Sequence, residues 1–159
     1  EELLALSRLE SGQANAEFHT ADVRELLYDC LRSTEQLAEQ RRLDICPCFD
    51  ENPVFVNCDE LQLRRAFTNI ITNALRYAKE KIQIECRADR GKAVVRIRDD
   101  GEGIAPELLP HIFDRFFSTR AGGAGIGLSL TKEIVSLHKG TIRAANDGGA
   151  VFEICLPLR

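Results

Sequence analysis

The sequence predicts an α+β fold, a two-layer sandwich in which a mixed β-sheet carries helices on one face. Three observations lead there. Two stretches of about 20 residues repeat apolar side chains at helical spacing. Later runs alternate apolar and polar residues at the period of a strand. Short turn signals separate those runs, so hairpins outnumber crossovers.

Residues 1–9, EELLALSRL, read as the end of a helix begun upstream, and Glu10 to Ala16, with Ser11-Gly12, as its stop and a linker. A long helix is expected over about 21–40. Val23, Leu26, Leu27, Cys30, Leu31, Leu37 and Ala38 keep one apolar face, and Asp22 sits where the helix dipole favours a carboxylate. Short strands are expected around 43–49 and 54–57, separated by the turn cluster Asp50-Glu51-Asn52-Pro53. A second long helix, about 59–78, has Asp59 placed to cap it.

Two alternating runs follow. Ile82, Ile84 and Cys86 face one way and Gln83, Glu85 and Arg87 the other; past Arg90-Gly91, Val95 and Ile97 oppose Arg96 and Arg98. This is a hairpin with one buried face. A glycine-rich irregular stretch fills 100–127. A helix of about 127–138 leads to two strands near 140–145 and 149–156, joined by Asp147-Gly148-Gly149.

With 44% hydrophobic and 29% charged residues among 159, the chain has the composition of a globular domain, not of a disordered segment. No apolar run approaches the ~18 residues of a membrane span. The chain starts at Glu1 without an initiator Met and is read as part of something longer. The net charge of −4 is unevenly placed: residues 1–60 carry −9 and residues 61–159 carry +5. A basic second half suits an anionic ligand. It lacks the basic-aromatic interleaving of a nucleic-acid surface. Six scattered cysteines in a chain of this size are expected as reduced thiols. Cys46 and Cys48 form a C-x-C pair, but the second pair that a zinc site needs is absent. His19, His111 and His138 stand in no metal or nucleophile spacing.

Four short patterns hold candidate chemistry. On the second helix Asn69, Asn73, Arg76 and Tyr77 fall along one edge of the apolar stripe, at i, i+3 and i+4 spacings. This helix alone leaves open whether they serve a polar ligand or form an ordinary boundary face. Asp99 ends a strand on its buried face, where a carboxylate must find donors or shift its pKa. It begins Asp99-x-Gly101-x-Gly103-Ile104, whose glycines let backbone pass close to a ligand. Residues 112–117, IFDRFF, suggest a loop anchored by Phe113, Phe116 and Phe117, with Arg115 and Arg120 at its polar end. Finally Gly123, Gly125, Ile126, Gly127 and Leu128 run into a helix N-terminus. That arrangement suits phosphate, although neither the P-loop nor the dinucleotide spacing is present.

The order N-x-x-x-N-A-x-R-Y, D-x-G-x-G, F-x-x-F-F, G-x-G-x-G-L resembles the N, first glycine, F and second glycine boxes of sensor histidine kinases. The resemblance covers nearly the whole chain: LSRLESG at 6–12 is similar to the end of that family's dimerisation helix, and Leu137 to Ile142 to its usual strand entry. It implies the Bergerat ATP-binding fold, shared with type II topoisomerases, a mismatch-repair protein and a heat-shock chaperone. It also implies residues 1–16 as helix end and linker, and 17–159 as the catalytic ATP-binding domain.

The resemblance implies that Asp99 accepts a hydrogen bond from the adenine amino group and that Asn73 ligates Mg²⁺. It sets Arg76 and Tyr77 toward phosphates and sugar or base edge, and Gly101, Gly103 and Ile104 against adenine. Residues from about Asp114 to Ile126 become a lid, with backbone amides of Gly123, Gly125, Gly127 and Leu128 on the phosphates. Arg120 is the expected lid residue for the γ-phosphate.

The phosphoacceptor histidine, on the family's dimerisation domain, matches nothing here. The implied activity is transfer of the γ-phosphoryl of Mg-ATP to a histidine outside this chain, in a cytoplasmic domain whose partners are the dimerisation domain and a response regulator. The fragment alone is expected to be monomeric; whether the whole protein is an inner-membrane sensor is left open by this stretch of sequence. The rivals are a hydrolytic relative and a non-catalytic module. Asn69 separates the first, since hydrolytic relatives carry a glutamate there and an amide takes no proton from water.

Overall fold

The computed structural model describes residues 3–5, 7, 16–117 and 127–159. Strand β1 (His19–Asp22) runs directly into helix α1 (Val23–Gln40). Asp22 organises the junction. Its carboxylate caps α1 through Arg24 N–H at 3.1 Å, accepts Val54 N–H at 3.0 Å, and pairs with the Arg24 guanidinium at 2.9 Å. Burial pushes this carboxyl up, but those bonds outweigh it and hold it below the ordinary carboxylate range. Strand β2 (Asp44–Phe49), strand β3 (Phe55–Cys58) and helix α2 (Glu60–Tyr77) follow, the last capped by Asp59 onto Gln62 N–H at 3.2 Å. Strands β4 (Lys81–Asp89) and β5 (Lys92–Asp99), helix α3 (Gly127–Leu137), and strands β6 (Thr141–Asn146) and β7 (Ala150–Pro157) complete the described order.

Among the described residues the strands form a five-stranded sheet in the order β2-β4-β5-β7-β6 and a separate pair, β1-β3. Only β2–β4 is parallel; the rest are antiparallel. The expected sandwich, with its mixed sheet and helices, is the observed one.

Two details differ. His19–Asp22, whose last two residues fall at the expected start of the first helix, is a strand, and four residues are too few to show an alternation in the sequence. Strands β2 and β3 do not pair with each other across the 50–53 turn. That turn instead carries the chain from the edge of the large sheet to the small one, and Arg24 fixes it by donating to Asp50 O and Glu51 O at 2.9 Å each.

One face of the large sheet is packed under the helices. Ile82, Ile84, Val95, Ile97, Phe152, Ile154 and Leu156 are all buried there, against Leu63, Phe67, Ile70 and Ile71 of α2 and Leu130 and Ile134 of α3. The opposite face is polar. Glu85, Arg96, Glu153 and Arg143 stand in register across four strands, with opposite charges side by side. Arg96 reaches Glu153 at 2.6 Å and Arg143 reaches it at 2.8 Å. Arg143 first and then Arg96 hold the Glu153 carboxyl below its ordinary value. Cys46 and Cys48 lie exposed in β2, while Cys30, Cys58 and Cys86 are buried. Burial pushes the Cys58 thiol up to about 11 and Cys86 to about 12.

His138, just past α3, is a structural anchor. Its Nδ1–H donates to Ile134 O at 2.7 Å, so Nε2 is free to accept Asp59 N–H at 3.1 Å; only the neutral ring does both. Phe18 stacks on the ring at 4.9 Å, and Glu17 N–H reaches the Asp59 carboxylate at 3.3 Å. Burial pushes the imidazole below its usual value, against the opposing pull of the Ile134 carbonyl and Asp59.

The unfolded chain therefore takes up this proton more readily than the native one. Stability is full above about pH 6.5 and is lost as pH falls from there toward the lower folded value. Urea unfolding from about pH 7 down to about 5.5 is expected to show this loss in the wild type, and a less stable His138→Gln variant with a flatter profile. Parallel profiles would remove His138 from the account, since His19 and His111 are common to both proteins.

Candidate functional site

A cavity of about 250 Å³ opens between α2, the end of β5 and the start of α3. Its base is Asp99, Ala150 and Phe152. Asn73 and Tyr77 come from α2, Leu128 from α3, and Gly103, Ile104, Ala105, Leu108, Ile112 and Phe117 from the segment between them. The lining is mostly apolar with a few polar groups, the usual composition of a small-molecule site.

Asp99 is the polar centre. It is 2% exposed, and its Oδ1 accepts Gly101 N–H at 2.8 Å and Ala150 N–H at 3.3 Å. Burial raises its pKa, while the two N–H groups pull the other way. These bonds fix the carboxylate without supplying a counter-charge, since neither donor is ionised.

The backbone around it leaves no room for side chains. A Cβ on Gly149, at φ 144°, would stand 2.1 Å from Asp99 O. One on Gly101 would stand 2.3 Å from Tyr77 O, so α2 ends directly against the turn. Asp100 secures the same junction from outside. It accepts N–H groups of Lys79 at 2.7 Å, Glu80 at 3.1 Å and Lys81 at 3.2 Å, and these bonds hold its carboxyl below the ordinary range despite the cost of desolvation.

Of the sequence-expected residues, Asn73, Tyr77, Asp99, Gly103, Ile104 and Leu128 line this one cavity. Gly101 supports it from below. Arg76 is exposed and does not line it. Asn69 lies outside it, beside the groove between α1 and α2, where its Nδ2 reaches Gly127 O at 3.2 Å and Thr131 Oγ1 at 3.3 Å. Arg120, Gly123, Gly125 and Ile126 lie outside the described residues. In the aromatic loop Phe113 meets Phe152 edge-on at 6.2 Å and Phe117 packs on the core, as expected. Phe116 does not: its backbone is left-handed (φ 65°) and the ring is 60% exposed.

Several contributors were not singled out in the sequence. Asn146 at the end of β6 brackets Ile104, accepting its N–H at 2.8 Å and donating to its carbonyl at 2.6 Å. Ala150, Phe152, Leu108 and Ile112 complete the walls. The available signal for Asn146 was its place beside Asp147-Gly148-Gly149, which read only as a hairpin turn. Three arginines of the second half, Arg96, Arg98 and Arg143, are paired with carboxylates on the open sheet face, away from the cavity.

The family model for histidine kinase-, DNA gyrase B- and HSP90-like ATPases matches residues 58–159. The chain is 33% identical, over 99% of its length, to the signal transduction histidine-protein kinase AfsQ2 of Streptomyces coelicolor. It is 39% identical, over 77% of its length, to the sensor histidine kinase CusS of Escherichia coli K12. It spans 30% of the first and 27% of the second. Its fold matches the catalytic domain of histidine kinase ThkA with a TM-score of 0.83 at 29% identity, covering 89% of this chain and 95% of that one. It matches Acinetobacter baumannii histidine kinase AdeS with a TM-score of 0.84 at 26% identity, covering 99% and 76%. The chain therefore belongs to the histidine kinase-, DNA gyrase B- and HSP90-like ATPase family, and within it to the catalytic domains of sensor histidine kinases.

Proposed function

We propose that residues 17–159 bind ATP in the cavity beneath α2 and α3 and transfer its γ-phosphoryl group to a histidine on a dimerisation domain of the same protein. Residues 1–16 are then the end of that domain and its linker, and a response regulator is the onward acceptor. The reading belongs to a cytoplasmic domain, which suits the six free thiols. Among the described residues no helix is long and apolar enough to cross a membrane.

The observation that carries the reading is Asp99: one buried carboxylate, fixed by two backbone N–H groups, at the base of an apolar slot. Such a group selects a flat base that presents an amino hydrogen. A base with a carbonyl there sets oxygen against carboxylate and leaves both desolvated and unpaired, a penalty that discriminates strongly. Ile104, Ala105 and Phe152 supply the apolar faces.

The donor set also fits Mg²⁺. Asn73 offers one neutral oxygen at the mouth of the cavity, and magnesium takes few protein ligands when phosphates and water fill the rest of its shell. The ion would offset the charge of the triphosphate. Gly127 and Leu128 begin α3 at the same mouth, with Gly123, Gly125 and Ile126 just before them in sequence, where backbone N–H groups meet phosphate. Arg76, Tyr77, Gly101 and Gly103 keep the roles the family resemblance gives them, and Arg120 is the cation proposed for the transferring group. Asn69 is an amide whose Nδ2–H group is turned toward α3. It offers no base to activate water, so the site is built for transfer rather than hydrolysis.

Calorimetric titration is expected to show Asp99→Ala weakening ATP and ADP alike, by ten-fold or more, on the order of a hydrogen bond to a charged group. Asn73→Ala should weaken Mg-ATP while leaving metal-free ADP nearly unchanged; an equal loss of both would argue against a metal role for Asn73.

Given γ-labelled ATP, the chain alone is expected neither to label itself nor to release phosphate quickly. Adding the dimerisation domain in trans should produce a slow, acid-labile label on that domain, slow because the tether's effective concentration is lost. Rapid phosphate release by the chain alone, with no labelled partner, would instead favour a hydrolytic enzyme.

A further inference from the structure

Helix α3 is strapped to α2 at both ends. At its far end His138 accepts the N–H of Asp59, the residue that caps α2. At its near end Asn69, ten positions further along α2, donates to Gly127 O and Thr131 Oγ1. Ten residues of helix rise about 15 Å and eleven about 16.5 Å, so the two antiparallel segments between the anchors match in length.

Thr131 is the less obvious member of the near anchor. It is fully buried, so its hydroxyl must be satisfied inside the protein. The proton goes to Gly127 O at 2.8 Å, one helical turn back. An oxygen that donates there keeps lone pairs for a second partner, and Asn69 Nδ2 lies at 3.3 Å. The Asn69 Nδ2–H group is thereby shared between Gly127 O and Thr131 Oγ1, and the three groups close a triangle around the first turn of α3. Leu128, in that same turn, lines the cavity.

We propose that Thr131 is a positioning residue for the triphosphate: with Asn69 it fixes the first turn of α3 against α2, so that the phosphate-binding end of the cavity is in place before the nucleotide arrives. The inference rests on the ATP-binding reading above and adds a residue that touches neither base nor phosphate. Preorganisation of this kind raises affinity by removing an ordering cost at the time of binding. It concerns the phosphate end alone, because Asp99 and the base-facing wall are held by other bonds.

The test titrates the chain with ATP and, separately, with adenosine, both in the presence of Mg²⁺. Thr131→Val keeps the shape and removes the hydroxyl. It is expected to weaken ATP about five- to tenfold, the scale of one or two hydrogen bonds, and to change adenosine affinity less than twofold. Thr131→Ser, which restores the hydroxyl, should recover ATP affinity to within about twofold. Asn69→Ala should weaken ATP in the same direction, and the Asn69→Ala, Thr131→Val double variant should lose less than the two single losses combined, because the two residues share one anchor.

Unchanged ATP affinity in Thr131→Val overturns the proposal. So does an equal loss of ATP and adenosine, which would mark Thr131 as part of the general packing, as would a Ser variant no better than Val. A wild-type chain that binds adenosine and ATP while Thr131→Val matches it defeats this inference and leaves the ATP reading standing; a wild-type chain that binds neither defeats the ATP reading itself.

Discussion

A carboxylate buried at the end of a strand has to be given donors, and the two consecutive carboxylates that end β5 and begin the next turn obtain theirs from three separate segments. Asp99 takes Gly101 N–H from its own turn and Ala150 N–H from β7. Asp100, pointing outward, takes the N–H groups of residues 79–81 at the exit of α2. The pair therefore sews helix, turn and neighbouring strand together at one point. The close approaches at Gly101 and Gly149 follow from that convergence, because backbone must pass where a side chain would stand. The cavity above Asp99 is the space that this stitching holds open.

The sheet and the helices were legible because their signals are periodic. Leu63, Phe67, Ile70 and Ile71 announce a helix face, and Ile82, Ile84 and Cys86 a strand face, from spacing alone; all are buried where that spacing puts them. Partner choice is not periodic. Nothing in Asp44–Phe49 says that it will lie parallel to β4 rather than fold back on β3, and β1 is too short to show any period. The site divides in the same way. Asp99, Gly101 and Gly103 were readable because an acidic residue closing a buried strand before paired glycines is an unusual local pattern. Asn146 and Thr131 are ordinary residue types whose meaning lies in partners 42 and 62 positions away.

The open face of the sheet follows a different economy from the packed one. Among the described residues no helix covers it, and its order comes from the alternating row of Glu85, Arg96, Glu153 and Arg143. Exposed pairs of this kind contribute little singly. In a row their larger effect is on register: a one-residue slip of a strand would turn its charge inward and its apolar side chain outward. The row is neutral, two acids against two bases, so it is a sheet-alignment device that adds nothing to the basic excess of the second half.

The bond from Ala150 to Asp99 spans 51 positions of sequence, that from Asn69 to Thr131 spans 62, and that from Asp59 to His138 spans 79. The β4–β5 and β6–β7 hairpins, by contrast, close over loops of a few residues. Contacts of such unequal span do not form together, because loop-closure entropy delays the distant ones. The two hairpins and the helices can exist before any pocket does. The pocket is assembled when the two halves of the sequence meet at β5 and β7, so nucleotide binding reports on completion of the whole fold rather than on the folding of any one part.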